Sequence, residues 1–367
     1  MSNFGQDFLN DPLVRNSPSE NEIELSVFGK GYGECLVLCC GHQEYIVVDS
    51  FINPSTNNPI AIDYLDAIGM PLNSIKEVVL THWHKDHIEG ISTILNNLGS
   101  NVKLILSPIL KDDQFMEFIF RGIKEGQEST SEFKKIFDFL HTYGNGVYKF
   151  AKQDTRIYSN ETMGNAEIYS LSPQDSEIMH YIKYLITGTM AKPFSYEYSE
   201  NNLLSLVLLL KDSVDGILLG ADLENMSMDI GWDAVVTNYS HTKTHPSVFK
   251  VPHHGSNTAH NDDVWKKILS PLPISILTVF DRSSKLPSDE DIIRLSGLSS
   301  KLYVVGNNAK EEKLIESRIR KKMPNIKVKA ISSKIGLVRY RRKINNPPNT
   351  ATVEFYGAVK EFMNHQS

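Results

Sequence analysis

The sequence predicts an α+β protein, with two layers of β-structure at its centre and helices outside them. Three observations point there. Short apolar runs of strand length recur along the whole chain, from IELSVF at 23–28 to TATVEFYGAV at 350–359. Segments of helical spacing fall between them, outnumbered by the strands. No internal repeat or low-complexity tract suggests a solenoid or a fibre.

The elements follow in order. A polar arm with Pro12 and Pro18 occupies residues 1–22, and a single domain is expected over 23–367. IELSVF, CLVLCC and EYIVVD read as strands punctuated by Gly29, Gly31, Gly33 and Gly41. IDYLDAIGM is a short helix closed by Gly69 and Pro71. KEVVLTH is a strand, and IEGISTILNNLG a helix burying Ile88, Ile91, Ile94, Leu95 and Leu98. KLILS is the next strand. DDQFMEFIFRGIKEG and SEFKKIFDFLHTYG then read as a helical insertion at about 109–150, and SEIMHYIKYLITGT as a second at about 175–200. Strands resume in EIYSLSP, in NNLLSLVLLL and GILLGAD around a KDSVDG turn, and in FKVPHHGS, ISILTVF, KLYVVG and IKVKAIS. DEDIIRLSGL and EEKLIESRIRKKM are helices among them, and TATVEFYGAV is one final strand.

Composition narrows the function. At 367 residues, 41% hydrophobic and 22% charged, the chain is an ordinary globular protein with ample core. No apolar run reaches membrane-spanning length, and the N-terminus lacks the basic start and apolar stretch of a signal peptide, so a cytoplasmic protein without a membrane partner is expected. Cys35, Cys39 and Cys40 share one apolar stretch and read as buried thiols. A net charge of −6 excludes a uniformly basic nucleic-acid coat. The charge is uneven, however: residues 301–343 hold 14 Lys or Arg against three acids, a local balance of +11. Arg318, Arg320, Lys321 and Lys322 form the densest part and are the residues expected to grip a polyanion, if one binds.

The chemistry concentrates in THWHKDH, residues 81–87, where three histidines and an aspartate share one strand end. His82 and His84, two apart, can face one ion; Asp86 and His87, beyond the turn, suit a second. Imidazole and carboxylate are the ligands that hold Zn²⁺ or Mn²⁺ while leaving positions open. Further candidates arrive at later strand ends: Asp222 in LLGAD, His253 and His254 in KVPHHGS, and Asp49 in YIVVDS as a ligand-orienting acid.

These motifs resemble those of the metallo-β-lactamase superfamily, in particular the hydrolase domain of ComEC-type competence proteins, over roughly residues 23–281. The opening FGKGYGECLVL, the H-x-H-x-D-H run, NNLLSLVLLL, ILLGAD and K-V-x-H-H-G-S carry the likeness. It implies an αββα sandwich and one or two divalent metal ions, Zn²⁺ first and Mn²⁺ second. It also implies His82 and His84 at one ion, Asp86, His87 and His254 at the other, and Asp222 bridging. The family's intervening histidine is replaced here by the Asn202 and Ser205 region, so the His82–His84 site should be the weaker. Asp86 would hold the water that becomes the nucleophile, and His253, Ser256 or Thr258 would meet the leaving group. A metal-dependent phosphodiesterase, most naturally a nuclease, is the first expectation. A small-molecule hydrolase acting on a lactone, thioester or cyclic nucleotide is the second, and a binding protein with a vestigial metal site the third.

Overall fold

In the computed structural model the described residues are 8–111, 116, 128–160, 166–188, 199–226, 229–282, 285–306, 327–330 and 335–363. The first strands are β1 (Glu22–Gly29), β2 (Glu34–Cys40), β3 (Tyr45–Val48), β4 (Ile75–Val79), β5 (Lys103–Leu106) and β6 (Tyr148–Phe150). There follow β7 (Thr155–Asn160), β8 (Ala166–Ser170), β9 (Leu208–Lys211), β10 (Gly216–Leu219), β11 (Val248–Lys250) and β12 (Ile274–Thr278). The last are β13 (Phe280–Asp281), β14 (Lys285–Leu286), β15 (Lys301–Val305), β16 (Lys327–Ala330), β17 (Gly336–Lys343), β18 (Thr352–Gly357) and β19 (Val359–Met363).

Among the described residues these form an eight-stranded sheet, β18-β17-β1-β2-β3-β4-β5-β6, and a nine-stranded sheet, β16-β19-β15-β12-β11-β10-β9-β8-β7, with β13 and β14 as a small ribbon. Each sheet has a parallel segment, β3 to β6 in one and β10-β11-β12-β15 in the other. Parallel strands with covered faces read as unbroken apolar runs, and β3 and β10 are buried at every position.

The sheets pack face to face. Ile23, Leu25 and Val27 of β1 and Leu36 and Leu38 of β2 meet Ile168, Leu208, Leu210, Ile217 and Ile276 of the other sheet. The opposite face of the first sheet is covered by helices Ile60–Ala67 and Ile91–Leu98, and that of the second by Trp232–Thr237 and Asp289–Leu298. The result is the expected αββα sandwich, with helices Glu128–Tyr143 and Asp175–Gly188 inserted. Each fully buried aliphatic side chain in these layers contributes roughly 1.5–3 kcal/mol, so the core is a rigid frame for whatever its strand ends carry. Cys35, Cys39 and Cys40 are buried free thiols, as their setting in β2 suggested.

Three segments differ from the sequence reading. The KEVVLTH strand stops at Val79, because Thr81 leaves the sheet to bond Asp49. In NNLLSLVLLL only Leu208–Lys211 is strand, and Ser199–Leu204 is a short tight helix. TATVEFYGAV is two strands rather than one: the chain turns at Gly357, whose φ of 66° is left-handed, and crosses from the first sheet to the second. The DDQFMEFIFRGIKEG and EEKLIESRIRKKM helices, and residues 1–7 of the arm, lie outside the described residues apart from Met116. The described part of the arm is held by β17, whose Arg339 donates to the carbonyls of Leu13 and Val14 at 2.9 and 2.7 Å. Among the described residues no helix is long and apolar enough to cross a membrane.

Candidate metal centre and active site

The carboxyl ends of the two parallel segments meet at one edge of the sandwich, the place where open α/β sheets gather their ligands. Asp49 follows β3, His82 to His87 follow β4, Asp222 follows β10, and His253 and His254 follow β11. The chain bends sharply at these ends. Asp49 (φ 57°), Ala221 (45°), His253 (45°) and His254 (53°) all lie in the left-handed region, followed by Gly255 at 85°. Left-handed non-glycine residues cost of order 1 kcal/mol or more each and cluster where side chains must be aimed.

His82, Asp86, His87, Asp222 and His254 are all buried, and His84 is half-buried. His254 Nε2 lies 3.4 Å from an Asp86 oxygen and 3.7 Å from Asp222 Oδ2. His87 Nε2 lies 3.5 Å from each of the same two carboxylates. These separations are long for hydrogen bonds but suit ligands sharing a cation: two atoms about 2.0–2.1 Å from a tetrahedral ion are about 3.3–3.4 Å apart. His87 Nε2, His254 Nε2 and Asp222 Oδ1 are buried without a hydrogen-bond partner, a costly state unless a cation satisfies them. The residues present therefore fit a divalent metal. His82 Nε2 approaches the same Asp222 oxygen, 3.9 Å from Oδ2, and lies 3.1 Å from His84 Nδ1. Asp222 Oδ2 is thus the atom that His82, His87 and His254 all approach.

Asp49 has a different position. One of its oxygens accepts the Thr81 amide at 2.8 Å, and the other accepts the Thr81 hydroxyl and the His87 Nδ1–H, both at 2.7 Å. With its oxygens so engaged, Asp49 orients His87 and leaves Nε2 facing the cage. Thr278 does the same for His254, whose Nδ1 lies 3.2 Å from its carbonyl and 3.0 Å from its hydroxyl. That hydroxyl in turn donates to Glu34, which pairs with Lys250 at 2.7 Å. Both ion-pair partners are buried, and they join β2 of one sheet to β11 of the other beneath the cage.

The electrostatics agree with the geometry. Burial lowers His82 and His84, keeping them neutral and able to donate a lone pair. Burial also works to lower His87, but Asp222, Asp86 and Asp49 together outweigh it and raise it well above the usual range. The field that draws a proton there draws a divalent cation equally. Burial works to raise Asp86 and Asp222; the surrounding imidazoles overcome it and hold both carboxylates ionised.

The remaining expected residues divide. His253 is partly exposed at the rim, with Nδ1 3.2 Å from Glu224, and Asn202 donates to the same carboxylate at 2.6 Å. Ser205 is buried and its carbonyl accepts from Ser172, so it lies in the wall. Ser256 and Thr258 bond each other at 2.9 Å just beyond the HHG turn. Arg318, Arg320, Lys321 and Lys322 lie outside the described residues. Sequence reasoning missed Glu34, Lys250, Glu224 and Thr278. Lys250 and Thr278 were visible in strand-end motifs, but their partners lie far along the chain. It also missed an aromatic rim of Tyr32 and Phe280. Burial and then the Asp86 charge push the Tyr32 phenol up to about 12, so it stays protonated.

A family model described as "Anti-Pycsar protein Apyc1" matches residues 57–180, about a third of the chain and including His82 to His87. None of the curated proteins matches the chain. Among solved structures, MIM-2 metallo-β-lactamase is 13% identical over 61% of this chain and 67% of its own, with a TM-score of 0.32. SMB-1 metallo-β-lactamase bound to 2-mercaptoethanesulfonate is 13% identical over 65% of this chain and 82% of its own, at 0.33. The hydrolase AbOPH of the β-lactamase superfamily is 14% identical over 52% of this chain and 55% of its own, at 0.32. These are distant likenesses, and the fold rests on the strand order itself. The matching family model is an anti-Pycsar one rather than a competence-protein one.

Proposed function

We propose that this metal-dependent hydrolase is a phosphodiesterase that opens the ring phosphodiester of cyclic nucleotides. The observation that carries the hydrolytic reading is the convergence of His87 Nε2 and His254 Nε2, both buried and unpartnered, on the buried Asp222 carboxylate. The choice of cyclic nucleotide is supported by the family match across residues 57–180, since anti-Pycsar proteins degrade cyclic nucleotides.

Asp86, His87, His254 and Asp222 would hold one cation, and His82, His84 and Asp222 a second. Divalent cations held by such a set acidify water to near neutrality and draw charge from a phosphoryl group. The protein's own groups do the rest. Asp49 keeps the His87 proton on Nδ1, and Thr278 fixes the His254 ring. Asp86 accepts a hydrogen bond from the attacking water and sets its direction. His253, held at the rim by Glu224, is placed to give a proton to the departing ribose oxygen.

The uneven charge of residues 301–343 favours a second reading, a nuclease. One screen separates the two: metal-loaded protein against cyclic nucleotides, single- and double-stranded DNA, and RNA, with Asp222→Ala as the control. Turnover of cyclic nucleotides that disappears in the variant supports the proposal. Cleavage of nucleic acid with no cyclic-nucleotide turnover would replace it.

A further inference from the structure

We propose that Tyr32, Phe280 and Arg282 form a shelf that receives the nucleobase of the substrate, an inference that rests on the cyclic-nucleotide reading above. The three side chains come from two separate loops. Tyr32 lies between β1 and β2, and Phe280 and Arg282 lie on the β13–β14 ribbon just after β12. The loops are joined where the Asp281 amide donates to the Gly31 carbonyl at 2.5 Å. Gly33 turns the chain behind Tyr32 with φ 131°, where an added Cβ would come within 2.7 Å of Phe51 Cβ.

The shelf begins at the metal cage. The Phe280 ring centroid lies 5.2 Å from that of the ligand candidate His254, and Tyr32 lies 5.5 Å from Phe280. The Arg282 guanidinium sits 4.1 Å from the Tyr32 centroid, in cation–π contact. Tyr32 and Phe280 are half-buried and Arg282 is exposed, so the series is partly open to solvent. Among the described residues no carboxylate forms an ion pair with Arg282, which leaves its donors available.

The composition of the shelf selects its guest. A phosphodiester at Asp86, Asp222 and His254 carries its base one sugar away, over the surface adjoining His254. Aromatic faces stack on any base, and a planar guanidinium both stacks and donates to acceptors on a base edge. A lactone or thioester offers no aromatic plane for the same groups.

The test uses Tyr32→Leu, Phe280→Ala and Arg282→Gln in the full chain, after circular dichroism and elemental analysis show fold and metal content retained. Substrates are 3′,5′-cyclic nucleotides and the base-free ribose 3′,5′-cyclic phosphate. Each variant should raise KM for cyclic nucleotides about tenfold while kcat stays within about threefold, as expected for loss of base stacking. Binding of hydrolysis-resistant cyclic nucleotide phosphorothioates, measured by calorimetry, should weaken by the same factor. Turnover of the base-free substrate should not change. An equal loss on the base-free substrate would overturn the proposal by assigning these residues to sugar or phosphate. Unchanged KM on every substrate would also overturn it and leave the phosphodiesterase reading standing. Wild-type protein that holds metal but turns over no cyclic nucleotide would bring down both.

Discussion

Three histidines approach one oxygen of Asp222, and that position should make it the most sensitive single residue. Asp222→Ala should lower metal content and cut turnover roughly a hundredfold or more, because one carboxylate oxygen lies within 3.9 Å of His82, His87 and His254 alike. Elemental analysis with kinetics decides it, and full retention of both would remove the bridging role. The neighbouring histidines should behave differently from one another. His254 faces the cage and His253 faces Glu224, so His254→Ala should strip metal while His253→Ala keeps metal and loses rate. The opposite pattern would exchange their roles. Away from the site, Glu77 on β4 is nearly buried, with one oxygen lacking a partner. Burial pushes it up to about 7, against the opposing pull of Lys149 and Lys103. The folded state therefore keeps a proton that the unfolded chain sheds near the ordinary glutamate range. Stability should fall as pH rises from that range through about 7. Glu77→Gln should flatten this fall by roughly 1–3 kcal/mol, read from urea unfolding at several pH values. A wild-type stability that rises across the same window would reverse the assignment.

Elements explain why the donors hold their places. In the extended HWH segment His82 and His84 turn one way and Trp83 the other. Trp83 is buried, with its ring 6.4 Å from Phe133 and 6.0 Å from Tyr181, so both inserted helices, Glu128–Tyr143 and Asp175–Gly188, pack behind the ligand turn. Trp83→Ala should cost about 3–5 kcal/mol, and it should weaken metal binding although no donor is touched. Trp83→Phe should restore much of both, as followed by denaturant unfolding and chelator competition. Metal affinity unchanged in the alanine variant would disconnect the helices from the site. The candidate donors that the structure brings together were legible in the sequence because they cluster at the ends of apolar strands, where a local pattern is enough. The wider frame was not. Nothing near Lys250 announces Glu34, and the Tyr32 shelf needs a loop and a ribbon more than two hundred residues apart in sequence. β17 escaped notice because GLVRYRRK reads as a solvated basic run, whereas its arginines are buried. β18 and β19 read as one strand because a single glycine marks the change of sheet.

At the scale of the whole molecule the question is what the uneven charge is for. Part of it is used internally. Arg339 pairs with Glu354 at 2.7 Å, Arg341 with Glu24 at 2.6 Å and Arg342 with Asp212 at 2.8 Å. Arg341 and Arg342 thereby tie β17 to β1 and to the β9–β10 turn. The Arg341 and Arg342 pairs are buried on both sides and costly to break from one side, roughly 3–5 kcal/mol, and they say nothing about a polyanion. The +11 balance of residues 301–343 therefore overstates the charge available to a ligand. Arg318, Arg320, Lys321 and Lys322 remain the residues on which a nucleic-acid surface would depend. Changing all four to Glu follows a simple rule. If they neutralise phosphates, fewer counterions are released on binding, so nucleic-acid affinity drops and its dependence on salt flattens. If the substrate is a cyclic nucleotide held at the strand ends, KM and kcat should be unchanged, and no salt slope should exist to flatten. The second result is expected. Affinity for single-stranded DNA at two salt concentrations, measured beside cyclic-nucleotide kinetics for wild type and variant, decides between them. A steep wild-type slope that the variant loses, with cyclic nucleotides untouched by either protein, would return the chain to the nuclease reading.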